Sequence, residues 1–255
     1  MRIGSGISAV ISGGASGLGA AVVTRLSLMG VKVTFFDTNV ELGNKLAQST
    51  GSFFVEVEIS NHGSVLQGLK SARSKFGCER ICINCAGISK AEKTVSKGEA
   101  HRSSIFEKVV SVNLNGVFNL STLSAEGMTN LPLLEESGDR GIIISTTSIA
   151  ASEGQIGQLA YAASKAGVSG MVLPMARDLA EYGIRVMGIA PGIFSTPMVS
   201  GLSQKVQAKL NASIPFPSRL GEPKEFADLV VHIIENSMLN GEVIRLDGAV
   251  RLSPT

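Results

Sequence analysis

Apolar residues along this chain fall into two patterns. Short runs rich in Val, Ile and Phe (ISAVISG, VKVTFFD, SFFVEVEI, RICINCAG, GIIISTTS, IRVMGIAPG and EVIRLDG) show little polar alternation. Such runs predict strands covered on both faces. Between them lie longer stretches: GLGAAVVTRLSLMG, VELGNKLAQS, VLQGLKSARSKFG, SIFEKVVSVNLNGVFNLSTLSAEGM, AYAASKAGVSGMVLPMARDLAEYG and PKEFADLVVHIIEN. Their apolar residues recur at helical spacing. Strands separated by helices throughout imply parallel pairing with right-handed crossovers. No linker, repeat or shift of composition divides the 255 residues. The expectation is a single doubly wound α/β domain, with a parallel sheet between two layers of helices.

Composition narrows the partners. With 44% hydrophobic and 17% charged residues the chain can fill a large core, and a net charge of +2 is too small to argue for nucleic acid or a membrane surface. No apolar stretch approaches a membrane span, and MRIGSGISAV lacks the apolar core of a signal peptide. A soluble protein of the cytoplasm is expected, with an organelle matrix as the alternative. Cys78, Cys82 and Cys85 form C-x3-C-x2-C, a spacing that raises the question of a metal cluster. Within a strand, however, Cys82 and Cys85 would point to opposite faces, so no metal site is expected. His62, His101 and His232 show no ligand spacing.

The turn ISGGASGLG joins the first strand to the first helix and carries Gly13, Gly17 and Gly19 as G-x-x-x-G-x-G. Missing Cβ atoms let backbone approach a pyrophosphate, and a helix N-terminus supplies N–H groups. Ser12, Ser16 and the backbone at Leu18 add donors. Asp37 ends the second strand about twenty residues on, where the ribose diol of a dinucleotide is expected. A carboxylate there accepts from the 2′- and 3′-hydroxyls and repels a 2′-phosphate. No Arg or Lys stands within the glycine turn or directly after Asp37, so NAD is expected over NADP.

Tyr161 and Lys165 lie four apart in a helical segment, hence on one face. An ammonium beside a phenol, joined by the positive nicotinamide of NAD+, favours phenolate and predicts a lowered Tyr161 pKa. Ser148, at the end of GIIISTTS, offers a hydroxyl for a substrate oxygen.

The glycine turn, Asn84-Cys85-Ala86-Gly87 after the fourth strand, Asn113, Ser148, Tyr161-x-x-x-Lys165 and PGIFSTP occur in one order. That order resembles the short-chain dehydrogenase/reductase family over essentially the whole chain. The longer stretches EGQIGQLAYAASKAG, PFPSRLGEP and LNGEVIRLDGA resemble its members that act on 3-hydroxyacyl-CoA. The resemblance implies a Rossmann fold, with a cofactor half over about 1–150 and a catalytic and substrate half over about 140–255. It implies Tyr161 as acid/base, Ser148 on the reacting oxygen, Lys165 on the nicotinamide ribose and Asn113 holding a water that links Lys165 to solvent. Pro191, Gly192, Ile193, Phe194 and Thr196 would surround the nicotinamide, Cys85 the adenosine ribose through its backbone, and Gln155 the substrate. Where the family usually has Asp-Val to meet adenine this chain has Glu58-Ile59, and Ser12 replaces the usual Thr. An acyl-CoA-type substrate and a homotetramer are implied. Alternatives are a 3-oxoacyl-carrier-protein reductase, a hydroxysteroid dehydrogenase and, from another class, a non-catalytic scaffold.

Two segments stay open. ISKAEKTVSKGEAHRS reads as a polar insertion whose Lys90, Lys93, Lys97 and Arg102 either meet the phosphates of coenzyme A or form a solvated loop. Residues 194–223 read as a substrate lid whose Met198, Leu202, Val206 and Leu210 stripe faces either an acyl chain or a packing partner.

Overall fold

The computed structural model describes residues 1–135, 137–200 and 210–254. Seven strands form one sheet: β1 (Ser8–Ser12), β2 (Lys32–Asp37), β3 (Phe53–Glu56), β4 (Ile81–Asn84), β5 (Gly141–Thr146), β6 (Ile184–Pro191) and β7 (Val243–Leu246). Their order is β3-β2-β1-β4-β5-β6-β7, with every neighbouring pair parallel. The helices are α1 (Gly17–Leu28), α2 (Val40–Thr50), α3 (His62–Phe76), α4 (Ser103–Val110), α5 (Gly116–Thr129), α6 (Leu159–Asp178) and α7 (Pro223–Glu235). The doubly wound expectation is met.

Strand periodicity feeds two cores. Ile11, Phe35, Ile83 and Ile144 join α1 and α7 on one face. Their neighbours Val10, Phe36, Cys82 and Ile143 join α3, α5 and α6 on the other. Each residue step along a strand switches face, so unbroken apolar runs are required.

Close packing under α3 depends on Gly68. A Cβ there would lie 2.6 Å from Val57 Cγ2 and 3.1 Å from Phe36 Cζ, both belonging to buried side chains with no room to withdraw. Alanine's helix propensity favours Gly68→Ala by up to about 1 kcal/mol, but overpacking costs about 1–3 kcal/mol. A net loss of about 1–2 kcal/mol is expected, read as a lower urea midpoint at unchanged slope.

Two elements depart from the sequence reading. The polar insertion is no plain loop: Val95–Ser96 and Glu99–Ala100 pair as a hairpin. Its turn, Lys97-Gly98, takes φ 53 and 86, the two positive angles that a two-residue hairpin turn demands. The long helix containing Asn113 is interrupted by a π turn at Ser111–Asn115, where the Gly116 N–H donates to Ser111 O five residues back. Such wide turns break the regular ladder and concentrate at functional sites.

Candidate active site

The chain runs one way across the sheet from β1 to β3 and the other way from β4 to β7. Over the C-terminal ends of β1 and β4, where it reverses, lies a cavity of about 1000 Å³, the expected place for a ligand in such a sheet. Of the catalytic, cofactor and substrate residues that the family resemblance implied, all but Asn84 and Asn113 line it.

The glycine turn forms its floor. Gly13 has φ +65, and a Cβ on it would lie 2.6 Å from the backbone of Ala86. A Cβ on Gly19 would strike the Gly13 carbonyl. Only glycine fits either position. Ser16 precedes α1 in extended conformation with no side-chain cap, leaving the helix's first N–H groups for a ligand. Asp37 is held in place: Oδ2 accepts from the Ala15 N–H and Oδ1 from the Asn39 N–H, both at 3.0 Å. A bare backbone cradle at a helix N-terminus with a fixed carboxylate beside it suits a pyrophosphate and a ribose diol.

At the other end stand Ser148, Tyr161 and Lys165. The Ala150 N–H donates to Ser148 Oγ at 3.1 Å, which fixes the hydroxyl at the mouth of β5. Ser148 also stands near enough to the Tyr161 hydroxyl to pull its pKa down. Lys165 is 4% exposed, and its Nζ donates to Thr146 O at 2.7 Å while standing 5.9 Å from the Tyr161 ring centre. Burial pushes the Lys165 ammonium down to about 8. In the protein alone burial pushes the Tyr161 phenol up, and Ser148 offsets this only in part; the nicotinamide charge that the expectation included would act in the opposite direction to burial.

Asn113 does not reach the cavity. Its Oδ1 accepts from the Ile88 N–H at 2.8 Å, and its Nδ2 donates to Ile88 O at 2.9 Å and Ser164 Oγ at 3.0 Å. The side chain thus ties the strand-to-helix turn after β4 to α6 and leaves no amide proton for a water. Asn84 points into the core, donating to Ser121 Oγ and Ser145 Oγ at 3.0 and 3.2 Å. Its side chain therefore makes no approach to a ligand. Glu58 lines the cavity but turns toward Ser60, whose hydroxyl donates to it at 2.8 Å, and Lys108 at 4.0 Å. Burial pulls the Glu58 carboxyl up, but Ser60 and Lys108 outweigh it and hold it below its ordinary value. Gln155 lines the cavity while its Nε2 donates to Ser253 O at 2.9 Å.

Lys90, Lys93 and Lys97 are exposed and do not line the cavity, and Arg102 is paired with Glu92 at 3.0 Å. The cations that line it, among the described residues, are Lys108, Lys165 and Arg251. Nothing in the sequence pattern signalled Lys108 or the cavity-lining residues Arg251, Leu252 and Ser253. Of the proposed lid stripe, Leu210 lines the cavity, while the Met198 side chain, Leu202 and Val206 lie outside the described residues. Burial pushes the thiols of Cys78, Cys82 and Cys85 up to about 11, about 12 and about 11, so all three stay protonated at neutral pH.

A glycine cradle and a Ser-Tyr-Lys set facing one cavity define a dehydrogenase of the short-chain type. The family model described as short chain dehydrogenase matches residues 8–207, and the chain belongs to that family. It is 49% identical over 254 residues to 3-hydroxyacyl-CoA dehydrogenase type-2 of Homo sapiens, covering 98% of this chain and 97% of that protein. The protein of the same name from Drosophila melanogaster is 48% identical over 249 residues, covering 96% and 97%. A crystal structure of 3-hydroxyacyl-CoA dehydrogenase type-2 from Mycobacterium avium superposes with a TM-score of 0.93 at 41% identity, covering 98% of each chain. Among the described residues no helix is long and apolar enough to cross a membrane.

Proposed function

We propose that this chain interconverts a secondary alcohol and a ketone with NAD, and that its substrate pair is a 3-hydroxyacyl-CoA and the matching 3-oxoacyl-CoA. The observation that carries the reading is that Ser148, Tyr161 and Lys165 share one cavity with the glycine turn and Asp37. The names of relatives at 48% and 49% identity support the acyl-CoA class.

Bound NAD+ would supply the hydride acceptor. The backbone from Gly13 to Gly19 would hold its pyrophosphate, Asp37 its adenosine ribose, and Ile193, Phe194 and Thr196 its nicotinamide end. The Ser148 hydroxyl holds the alcohol oxygen, and the Tyr161 oxygen takes the alcohol proton. Lys165 carries the charge that steadies the phenolate. In ketone reduction the same phenol returns the proton. Residues 1–150 and about 140–255 act as coenzyme and substrate halves of a single unit. A homotetramer in the cytoplasm or an organelle matrix completes the reading; Phe118 on α5 and Leu173 on α6, 52% and 44% exposed, support the assembly.

The direct test is NADH formation from 3-hydroxyacyl-CoA, alongside acetoacetyl-CoA reduction by NADH and NADPH. A strong NADPH preference would favour the carrier-protein reductase instead. The hairpin cations receive their own test. Replacing Lys90, Lys93, Lys97 and Arg102 by alanine is expected to raise KM for acetoacetyl-CoA about three- to tenfold, as a few screened surface charges allow. KM for a small uncharged ketone should hold. Equal effects on both substrates would return these residues to a solvated hairpin.

A further inference from the structure

Beyond β7 the chain turns at Gly248 and Ala249, with φ +59 and +65, and residues 250–254 run back across the loop that follows Ser148. Three hydrogen bonds stitch the two together. Glu153 Oε2 accepts from the Leu252 N–H at 3.0 Å, Gln155 Nε2 donates to Ser253 O at 2.9 Å, and the Ile156 N–H donates to Pro254 O at 3.0 Å. Two acids and two arginines reinforce the seam. Arg245 lies 2.8 Å from Glu153 and 2.7 Å from Asp247, while Arg251 lies 3.5 Å from Glu153 and 3.2 Å from Asp247. Burial works against ionisation of Glu153, but the Leu252 N–H and the guanidinium groups outweigh it and hold its carboxyl below its ordinary value. The Asp247 side chain is only 9% exposed, so this network is better shielded from salt than scattered surface pairs.

An apolar cluster separate from both sheet cores sits beneath the seam. Val250 packs with Ile149 and Ile214, and Leu252, Ile193 and Leu220 close around them. Ile149 follows Ser148, and Ile193 belongs to the segment expected around the nicotinamide. The cluster therefore joins residues 250–254 to the catalytic end of the cavity, which Leu252 and Ser253 themselves line beside Leu210 and Ser213.

We infer that residues 250–254 form a wall of the substrate pocket, latched by Glu153 and Gln155, and that Leu252 sets the length of aliphatic chain the pocket accepts. Gln155 then positions this wall while itself lining the cavity. The inference rests on the reading of the cavity as a substrate pocket and adds the residue that limits it. Shortening Leu252 opens room for extra methylenes, which gain by leaving water. Removing Glu153 frees the wall without touching Ser148, Tyr161 or Lys165.

The test uses the full chain and two homologous series with NAD+, 3-hydroxyacyl-CoA thioesters and 2-alkanols, each from short to long chains. For Leu252→Ala the ratio of long-chain to short-chain kcat/KM should rise about five- to tenfold, through KM rather than kcat. Leu252→Phe should shift it the other way. Glu153→Ala should flatten the chain-length profile. Glu153→Gln keeps an acceptor for the Leu252 N–H but loses the charge facing two arginines, and should fall between. Should Glu153→Ala fail to fold, the two Leu252 variants carry the decision. Profiles that scale by one factor at every length overturn the inference. Turnover of alkanols but not thioesters defeats the acyl-CoA assignment while the alkanol profile still scores the wall; turnover of neither overturns both.

Discussion

Tyr161→Phe should lower kcat/KM for alcohol oxidation about 10³-fold, within the range of about 10² to 10⁴ that a positioned proton acceptor contributes. Phenylalanine fills the same volume, so the loss is confined to the oxygen that Ser148 meets. NADH affinity, measured by fluorescence titration, should stay within about twofold, since the cradle residues are unchanged. The pH profile supplies a second readout with a definite sign. Burial raises Tyr161, so at neutral pH the phenol keeps its proton. Oxidation needs that proton gone and should quicken as pH rises, whereas ketone reduction needs it present and should fade. Lys165, at about 8, loses its charge at lower pH than the phenol loses its proton, which bends both profiles before the Tyr161 limb is reached. The residual rate of the Phe variant should lose the limb that belongs to Tyr161. Near-normal turnover with an intact profile would remove Tyr161 from the chemistry.

Asp37→Ser should lower the preference for NAD over NADP by about 10²- to 10³-fold, scored as the ratio of their kcat/KM values. A unit charge about 4 Å from a carboxylate is opposed by about 4 kcal/mol at intermediate dielectric, and solvent screening takes part of that. The carboxylate cannot swing aside, because the Ala15 and Asn39 N–H groups hold both oxygens. Lys108, a cation on the same cavity, stands beside Glu58. Serine keeps a hydroxyl for the ribose and removes the charge. An unaltered ratio would mean that coenzyme choice is made elsewhere in the cavity.

Much of the site was readable from one dimension because its chemistry is local. The glycine spacing, Asp37 at a strand end, and the four-residue step from Tyr161 to Lys165 each need only neighbouring backbone to acquire meaning. Asn84 misled for the same reason: membership of N-C-A-G suggested the ligand side, whereas strand alternation turned it toward Ser121 and Ser145. Asn113 was recognisable as special, but its partners Ile88 and Ser164 lie 25 and 51 residues away. The balance of forces on Tyr161 was equally out of reach, since desolvation depends on what closes over the ring.

By itself the sequence determined the fold class and placed the glycine turn, Asp37, Ser148, Tyr161 and Lys165 on one cavity, because periodicity and short spacings are set by backbone geometry that every helix and strand shares. Only the tertiary structure decided which groups lie behind them and that Leu252 and Ser253 line the same cavity. Leu252 and Glu153 are 99 residues apart. Their meeting depends on β7 pairing beside β6 and on a turn beyond it, and long-range closure of that kind leaves no local pattern of apolar and polar residues to read.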